Sequence, residues 1–141
     1  MPGGINHPGL GYATFCAIKL AGYTAAARFL SAQYKRDVPA WKAGAARTAI
    51  GMAAGAVYFA AWIQLERAGY TGGGFLPWPY FAGLLPVRIA EWWLLIWLFY
   101  DRELRHVAKD WRMVGLCTVW SYVLDAPAIF GFIATAGVWI C

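Results

Sequence analysis

The stretch that decides the fold reads YFAGLLPVRIAEWWLLIWLFY over residues 80–100. A helix needs about 20 mostly apolar residues to cross roughly 30 Å of hydrocarbon, and this stretch has that length and composition. The whole chain of 141 residues has a similar character, with 61% hydrophobic and only 13% charged residues. Soluble domains have about half apolar and a quarter charged residues. The composition therefore argues against a soluble fold and predicts a protein that lies in a bilayer.

Three further apolar stretches have the length of a membrane-spanning helix. They cover about residues 9–31, 43–65 and 113–139. These stretches lack the alternation of barrel strands, and an isolated strand cannot satisfy its backbone groups in lipid. We therefore predict an all-α, polytopic integral membrane protein, in which residues 1–141 form a single four-helix domain.

Positive charges are concentrated in two of the three connectors between these helices. The first and third connectors with their flanks hold Arg28, Lys35, Arg36, Lys42, Arg47, Arg102, Arg105, Lys109 and Arg112. Under the positive-inside rule, residues 32–42 and 101–112 are cytoplasmic and both termini are extracytoplasmic. We expect an inner-membrane protein of a bacterial-type cell. Topology alone accounts for the net charge of +5, so no nucleic-acid partner is predicted.

Four charged residues fall inside the predicted helices, namely Lys19, Arg88, Glu91 and Asp125. Helix geometry places all four in one layer near the middle of the membrane. Each costs about 3 kcal/mol if it faces lipid, so we expect them to pair. The simplest arrangement joins Lys19 to Asp125, and Arg88 to Glu91 one helical turn away.

Further polar residues extend this charged layer along the first and fourth helices. The first helix carries Tyr12 and Tyr23 near Lys19, and the fourth carries Thr118, Ser121 and Tyr122 near Asp125. Their helical spacing predicts one polar face on each helix, and we expect the two faces to point at each other. Pro86 and Pro127 lie beside the charges. Each removes a helical hydrogen bond and can kink its helix, and a solute site could use such a kink.

Small residues predict close helix packing in the first half of the chain. Ala13, Ala17, Ala21 and Ala25 recur every four residues, and Gly51 and Gly55 form a GxxxG motif. The partner of these faces is either the neighbouring helix or a second copy of the chain. Four helices leave little room for a solute pathway within a single copy of the chain, so we expect a homo-oligomer or a subunit of a larger membrane complex.

The sequence predicts no catalytic residues, no metal and no cofactor. The two histidines, His7 and His106, fall in the outer tail and in a connector, which excludes haem or zinc held by several membrane histidines. The cysteines Cys16, Cys117 and Cys141 differ in depth and are expected to be free thiols. Basic connector residues could bind lipid headgroups, although a solvated connector is the simpler interpretation. They are Arg102, Arg105, His106, Lys109 and Arg112.

Three functional hypotheses follow from these patterns. The leading one is the handling of a small polar or ionic solute, by transport or proton-coupled permeation through the charged layer. The second is an accessory subunit whose buried charges dock partner helices of a larger complex. The third and least favoured is a membrane enzyme that acts on lipid headgroups at the basic connector.

Overall fold

The computed structural model describes residues 8–69 and 77–136, with side chains over residues 9–69 and 82–131. These residues form four α-helices: α1 (Pro8–Tyr34), α2 (Ala40–Arg67), α3 (Pro77–Phe99) and α4 (Val107–Ala136). The all-helical prediction is confirmed. Every helix begins earlier than predicted, because a helix continues through the polar interface beyond the apolar run. His7, Cys141 and the predicted helix end at residue 139 lie outside the described residues.

Three of these helices are long and apolar enough to cross a membrane. They are α2, the Ala82–Phe99 part of α3 and the Val107–Gly131 part of α4. Large apolar side chains face outward on the helices, including Val57 at 71% and Phe130 at 73% exposure. Such a surface would aggregate in water but is well solvated by lipid. The fold is therefore that of a helical bundle suited to a membrane.

The four helices form a ring in chain order. α1 packs against α2 and α4, and α3 packs against the same two helices from the opposite side. Residues 35–39 join α1 to α2, and residues 100–106 join α3 to α4. A hydrogen bond from Lys109 of α4 to the carbonyl oxygen of Gln33 of α1 shows that both connectors lie at the same end of the bundle. We call this the connector end of the bundle.

The apolar core lies toward the connector end. Trp92, Leu95 and Ile96 of α3 are at most 1% exposed, as are Leu30 of α1 and Val114 of α4. Large side chains thus fill the space between the helices that meet there, and in lipid they stabilise the bundle through close packing rather than through removal from water.

The closest approach of α1 and α2 is made by Gly44 rather than by the predicted GxxxG motif. A Cβ atom at position 44 would lie 2.9 Å from the backbone of Thr24. A Cβ atom at Gly55 would meet nothing within 4 Å. The alanine face of α1 is exposed as well, at Ala13, Ala17, Ala21 and Ala25. Small residues permit close packing on any face, and here the buried charges determine which faces turn inward.

Candidate functional site

All four predicted intramembrane charges lie within the bundle, and Asp125 of α4 is their centre. Lys19 of α1 forms an ion pair with Asp125, as predicted. Arg88 of α3 also pairs with Asp125, with its Nη2 atom 3.1 Å from Oδ1 and 3.0 Å from Oδ2. Lys19 and Asp125 are 5% and 8% exposed. One carboxylate therefore pairs with two cations that reach it from different helices.

The predicted pair of Arg88 with Glu91 is wrong, because Glu91 pairs with Arg47 of α2. The Nη2 atom of Arg47 lies 2.6 Å from the Oε2 atom of Glu91. Residues three apart on a helix differ by about 60° in direction. Within a ring of four helices, that difference lets Arg88 reach Asp125 on α4 while Glu91 reaches α2 on the other side.

Arg47 is the site residue that the sequence analysis missed. It is expected at the flank of the first connector, but the structure buries it completely, at 0% exposure. Its guanidinium carbon lies 4.6 Å from the ring centroid of Tyr23 and 4.8 Å from that of Trp92. Cation–π contacts of this kind stabilise a desolvated arginine by roughly 2 kcal/mol. The positive-inside rule counts Arg47 by sequence position and cannot detect such aromatic partners.

A sequence signal for the burial of Arg47 does exist. Gly44, Arg47 and Gly51 are spaced at i, i+3 and i+7, so they share one face of α2. A Cβ atom at Gly51 would lie 2.7 Å from the Nη1 atom of Arg47. The glycines thus make room for the guanidinium. An arginine flanked by glycines on one helix face indicates that this face points into the bundle.

The hydrogen bonding of Arg47 is incomplete. Its Nη2 atom donates to Ser121 Oγ at 3.5 Å, while its Nε and Nη1 atoms are buried without a hydrogen-bond partner. Trp92 Nε1 donates to the same Ser121 hydroxyl at 2.8 Å. Buried N–H groups without partners are costly, typically about 1–3 kcal/mol each.

The predicted polar faces meet only in part. Tyr23 is buried and its hydroxyl accepts a hydrogen bond of 3.2 Å from Arg88 Nη1, and the ring of Tyr122 lies 5.9 Å from the Arg88 guanidinium carbon. Ser121, in contrast, contacts α2 and α3 rather than α1. Thr118 is buried and its hydroxyl has no hydrogen-bond partner. The Lys19–Asp125 pair is therefore the main direct polar link between the two predicted faces.

A cleft of about 480 Å³ lies beside the charges, between α1, α2 and α3. Lys19 and Arg88 contribute its basic wall, and Tyr12, which is 62% exposed, also lines it. The remaining lining residues are mostly apolar or small: Phe15, Cys16, Tyr23, Thr48, Gly51, Met52, Gly55, Ala56 and Leu84. This volume falls in the range of small-molecule sites, about 300–1,000 Å³.

The buried charges beside this cleft do not balance. Among residues 9–69 and 82–131, whose side chains are described, Lys19, Arg47 and Arg88 are opposed in this layer by Glu91 and Asp125, which leaves one positive charge in excess. The four charges predicted from the sequence, two positive and two negative, have no net charge. Arg47 adds a third positive charge to them. An uncompensated buried charge is expensive in a low-dielectric interior, and a bound anion would compensate it.

The basic connector residues lie at the connector end and converge only in part. Arg102, Arg105, His106 and Arg112 are exposed. Lys109 donates a hydrogen bond of 2.6 Å to the Gln33 carbonyl oxygen and lies 4.4 Å from the ring centroid of Tyr34. A depression of about 400 Å³ collects Arg105, His106 and Lys109, without Arg102 or Arg112. Three of the five predicted residues thus lie together, and Arg102 and Arg112 lie apart from them.

Asp101 organises the second connector from a buried position. Its carboxylate accepts hydrogen bonds from the backbone amides of Arg105, at 3.1 Å, and His106, at 2.8 Å. Burial by itself raises the pKa of Asp101, but the two amide donors and the nearby His106 outweigh it, so that the pKa lies below its usual value. Asp101 therefore serves to begin α4 and has a structural role.

The chemistry available at the charged layer is that of ion binding. Within residues 8–69 and 77–136, no group of three or more His, Cys, Asp or Glu residues could hold a metal ion. Comparison of the chain with protein-family models, curated proteins and solved structures finds no match.

Proposed function

We propose that this chain is an integral membrane protein that binds a small polar or ionic solute at the Asp125 cluster and moves it across the bilayer. One observation carries the proposal: two members of a buried ion cluster, Lys19 and Arg88, form the wall of a cleft. Charges that served architecture alone would need no opening beside them, because their partners already lie within the bundle. Charges that receive a solute need an approach, and the cleft provides one.

The arrangement at Asp125 supports an exchange of partners. A solute in the cleft competes with Asp125 for Lys19 and Arg88, which both pair with that one carboxylate. The buried carboxylates Glu91 and Asp125 are the groups that would take up a proton if transport were proton-coupled. The core around Trp92, Leu95 and Ile96 closes the connector end, so passage requires a rearrangement of the helices.

We also propose that α1 crosses the membrane as the fourth span. It has 27 residues, which correspond to about 40 Å of helix, and it packs between the two apolar helices α2 and α4. The two basic connectors, predicted at residues 32–42 and 101–112 and narrowed by the helices to 35–39 and 100–106, then face the cytoplasm, and both termini lie outside, in the plasma membrane. A cysteine introduced at the exposed Glu103 of a cysteine-free chain should react with an impermeant thiol reagent only after the cells are opened.

The exposed alanine face of α1 supports either self-association or a role as a subunit of a larger complex. Ala13, Ala17, Ala21 and Ala25 offer a flat surface for a second helix. A chain that docks partner helices should aggregate when it is purified alone, whereas a homo-oligomer should be stable.

Proteoliposomes test the transport proposal. Purified protein is reconstituted, and the fluxes of acetate, octanoate, phosphate, chloride, sodium, potassium and protons are measured under an imposed membrane potential. We expect at least one flux above that of protein-free vesicles and its loss in Asp125→Asn. Glu103→Gln is the matched control, because Glu103 is 67% exposed in its side chain and far from the cluster. The absence of flux for every ion would overturn the proposal.

A further inference from the structure

The chemistry of the cleft identifies a class of solute. We propose that the cleft binds an amphiphilic monoanion, with its carboxylate between Lys19 and Arg88 and its apolar chain along Phe15, Met52 and Leu84. This inference deepens the proposed function and rests on the cleft as the solute site.

The head group of the ligand is determined by charge. The two charged side chains that line the cleft are both cations, and the carboxylates Asp125 and Glu91 do not line it. Their layer carries one positive charge in excess, because Arg47 is buried beside Glu91. A monoanion in the cleft restores neutrality, whereas a cation would add to the excess and would meet two like charges.

Unsatisfied donors point to the same wall of the cleft. Arg88 Nε is buried without a hydrogen-bond partner, and so is the Nη1 atom of the fully buried Arg47. That Nη1 atom occupies the space next to Gly51, and Gly51 lines the cleft. Guanidinium groups bind carboxylates well because their N–H donors match the two acceptor oxygens. Arg88 lines the cleft and can bind such a head group, while the buried Arg47 adds positive charge behind it.

The body of the ligand is determined by the rest of the lining. Phe15, Met52 and Leu84 are apolar, and Ala56 and Gly55 keep the cleft open. At Gly55 a Cβ atom would meet nothing within 4 Å, so this space is not filled by the protein. Each methylene group that leaves water contributes about 0.8 kcal/mol. A carboxylate with a short alkyl chain therefore matches the cleft better than an inorganic anion does.

Alkylation of Cys16 provides the test, since Cys16 lines the cleft and is a free thiol. Full-length protein with Cys117→Ser and Cys141→Ser is placed in lipid nanodiscs and treated with N-ethylmaleimide. The probes are octanoate, 1-octanol, octyltrimethylammonium and acetate. We expect octanoate at ten times its Kd to slow alkylation about tenfold, with less than a twofold effect of the other three. Equilibrium binding of radiolabelled octanoate, with 1-octanol as competitor, gives a second measurement that does not depend on Cys16.

Two variants separate the head group from the chain. Lys19→Gln should weaken octanoate binding at least tenfold, and its control is Lys42→Gln at an exposed residue of α2. Gly55→Leu fills the cleft and should abolish binding without a change in the charges. Its control is Gly115→Leu on the exposed face of α4, where an added Cβ atom also meets nothing within 4 Å.

Each contrary result has a definite meaning. Equal protection by 1-octanol, or protection by octyltrimethylammonium, would overturn the anion assignment, and binding that survives Gly55→Leu would overturn the cleft as its place. Flux of another ion without octanoate binding would refute this inference and leave the proposed transport intact. Octanoate binding without flux of any ion would support this inference and refute the proposed transport.

Discussion

The two halves of the bundle differ in how the space between the helices is filled. At the connector end, Trp92, Leu95 and Ile96 are almost completely buried and occupy the centre. In the opposite half, Gly51 and Gly55 of α2 leave a cleft of about 480 Å³. The centre of the bundle therefore forms a closed base toward the connector end and an open upper part at the cleft. The charged layer lies where the two meet. A groove of about 330 Å³ between α1 and α4 also lies in the closed half, but most of the residues that line it are exposed.

This difference shows how one short chain can hold charges in a membrane and still keep them accessible. Arg47 lies on the closed side, between the rings of Tyr23 and Trp92, and Lys19 and Arg88 lie on the open side. Large aromatic residues of α3 stabilise the base, and small residues of α2 leave the cleft open. Residue size along two helices thus determines which charges a solute could reach.

Removal of Asp125 is expected to have the largest effect, because it acts at the boundary between the halves. Asp125→Ala leaves both Lys19 and Arg88 without their carboxylate, and the loss of a partner from a buried ion pair costs about 3–5 kcal/mol. The measurement is the free energy of unfolding in mild detergent, followed by tryptophan fluorescence. Glu103→Ala, at an exposed ion pair, should cost less than about 1 kcal/mol. A loss below about 1 kcal/mol for Asp125→Ala would mean that water in the cleft already solvates the cations.

Truncation of one large residue in each half tests the contrast in packing directly. Trp92→Ala should destabilise the protein by about 3–5 kcal/mol, because it creates a cavity and removes a hydrogen bond to Ser121. Met52→Ala, at a cleft residue that is 52% exposed, should cost about 1 kcal/mol or less. Unfolding free energies of the two variants, measured side by side, give the comparison. Similar losses would contradict a closed base and an open upper part.

Two glycines of α2 provide a smaller and closely matched comparison. Gly44→Ala places a Cβ atom 2.9 Å from the backbone of Thr24, so we expect a loss of about 1–3 kcal/mol. Gly55→Ala meets open space and should gain up to about 1 kcal/mol from helix propensity. Thermal unfolding of both variants in the same detergent measures the difference. Equal effects would show that α1 and α2 are not in close contact at Gly44.

The smallest effect concerns the connector end and depends on pH. The pKa of Asp101 is lowered in the folded state by amide donors, so the unfolded chain binds a proton at a higher pH than the folded one. The contribution of Asp101 is therefore complete above the unfolded pKa of about 4 and is lost as the pH falls through the lower folded pKa. Its size should be about 0.5–2 kcal/mol, as for a helix cap.

Thermal unfolding between pH 3 and pH 7 measures this effect. Asp101→Asn should be less stable at neutral pH and should approach the wild-type chain as the pH falls. Asp37→Asn, at an exposed residue, is the control and should follow the wild-type profile. A constant difference between Asp101→Asn and wild type over this range would contradict the role of the ionised carboxylate.

The apolar stretches of the amino-acid sequence were sufficient to predict the number and approximate position of the helices. A run of about 20 apolar residues has one favourable structure in lipid, so composition and length suffice for that inference. The sequence also predicted the pair of Lys19 with Asp125, as one half of an arrangement whose other half, Arg88 with Glu91, was wrong. Both lie near the middle of their helices, and a buried charge at that depth has few partners available.

Tertiary structure alone decided the direction in which each helix face points. Glu91 joins Arg47 and not Arg88, Gly44 rather than Gly55 contacts α1, and Arg47 lies in the interior instead of at the connector. Each of these outcomes depends on the rotation of a helix about its axis relative to its neighbours. Periodicity shows which residues share a face but not which neighbour that face meets. The excess positive charge and the cleft beside it follow from those rotations.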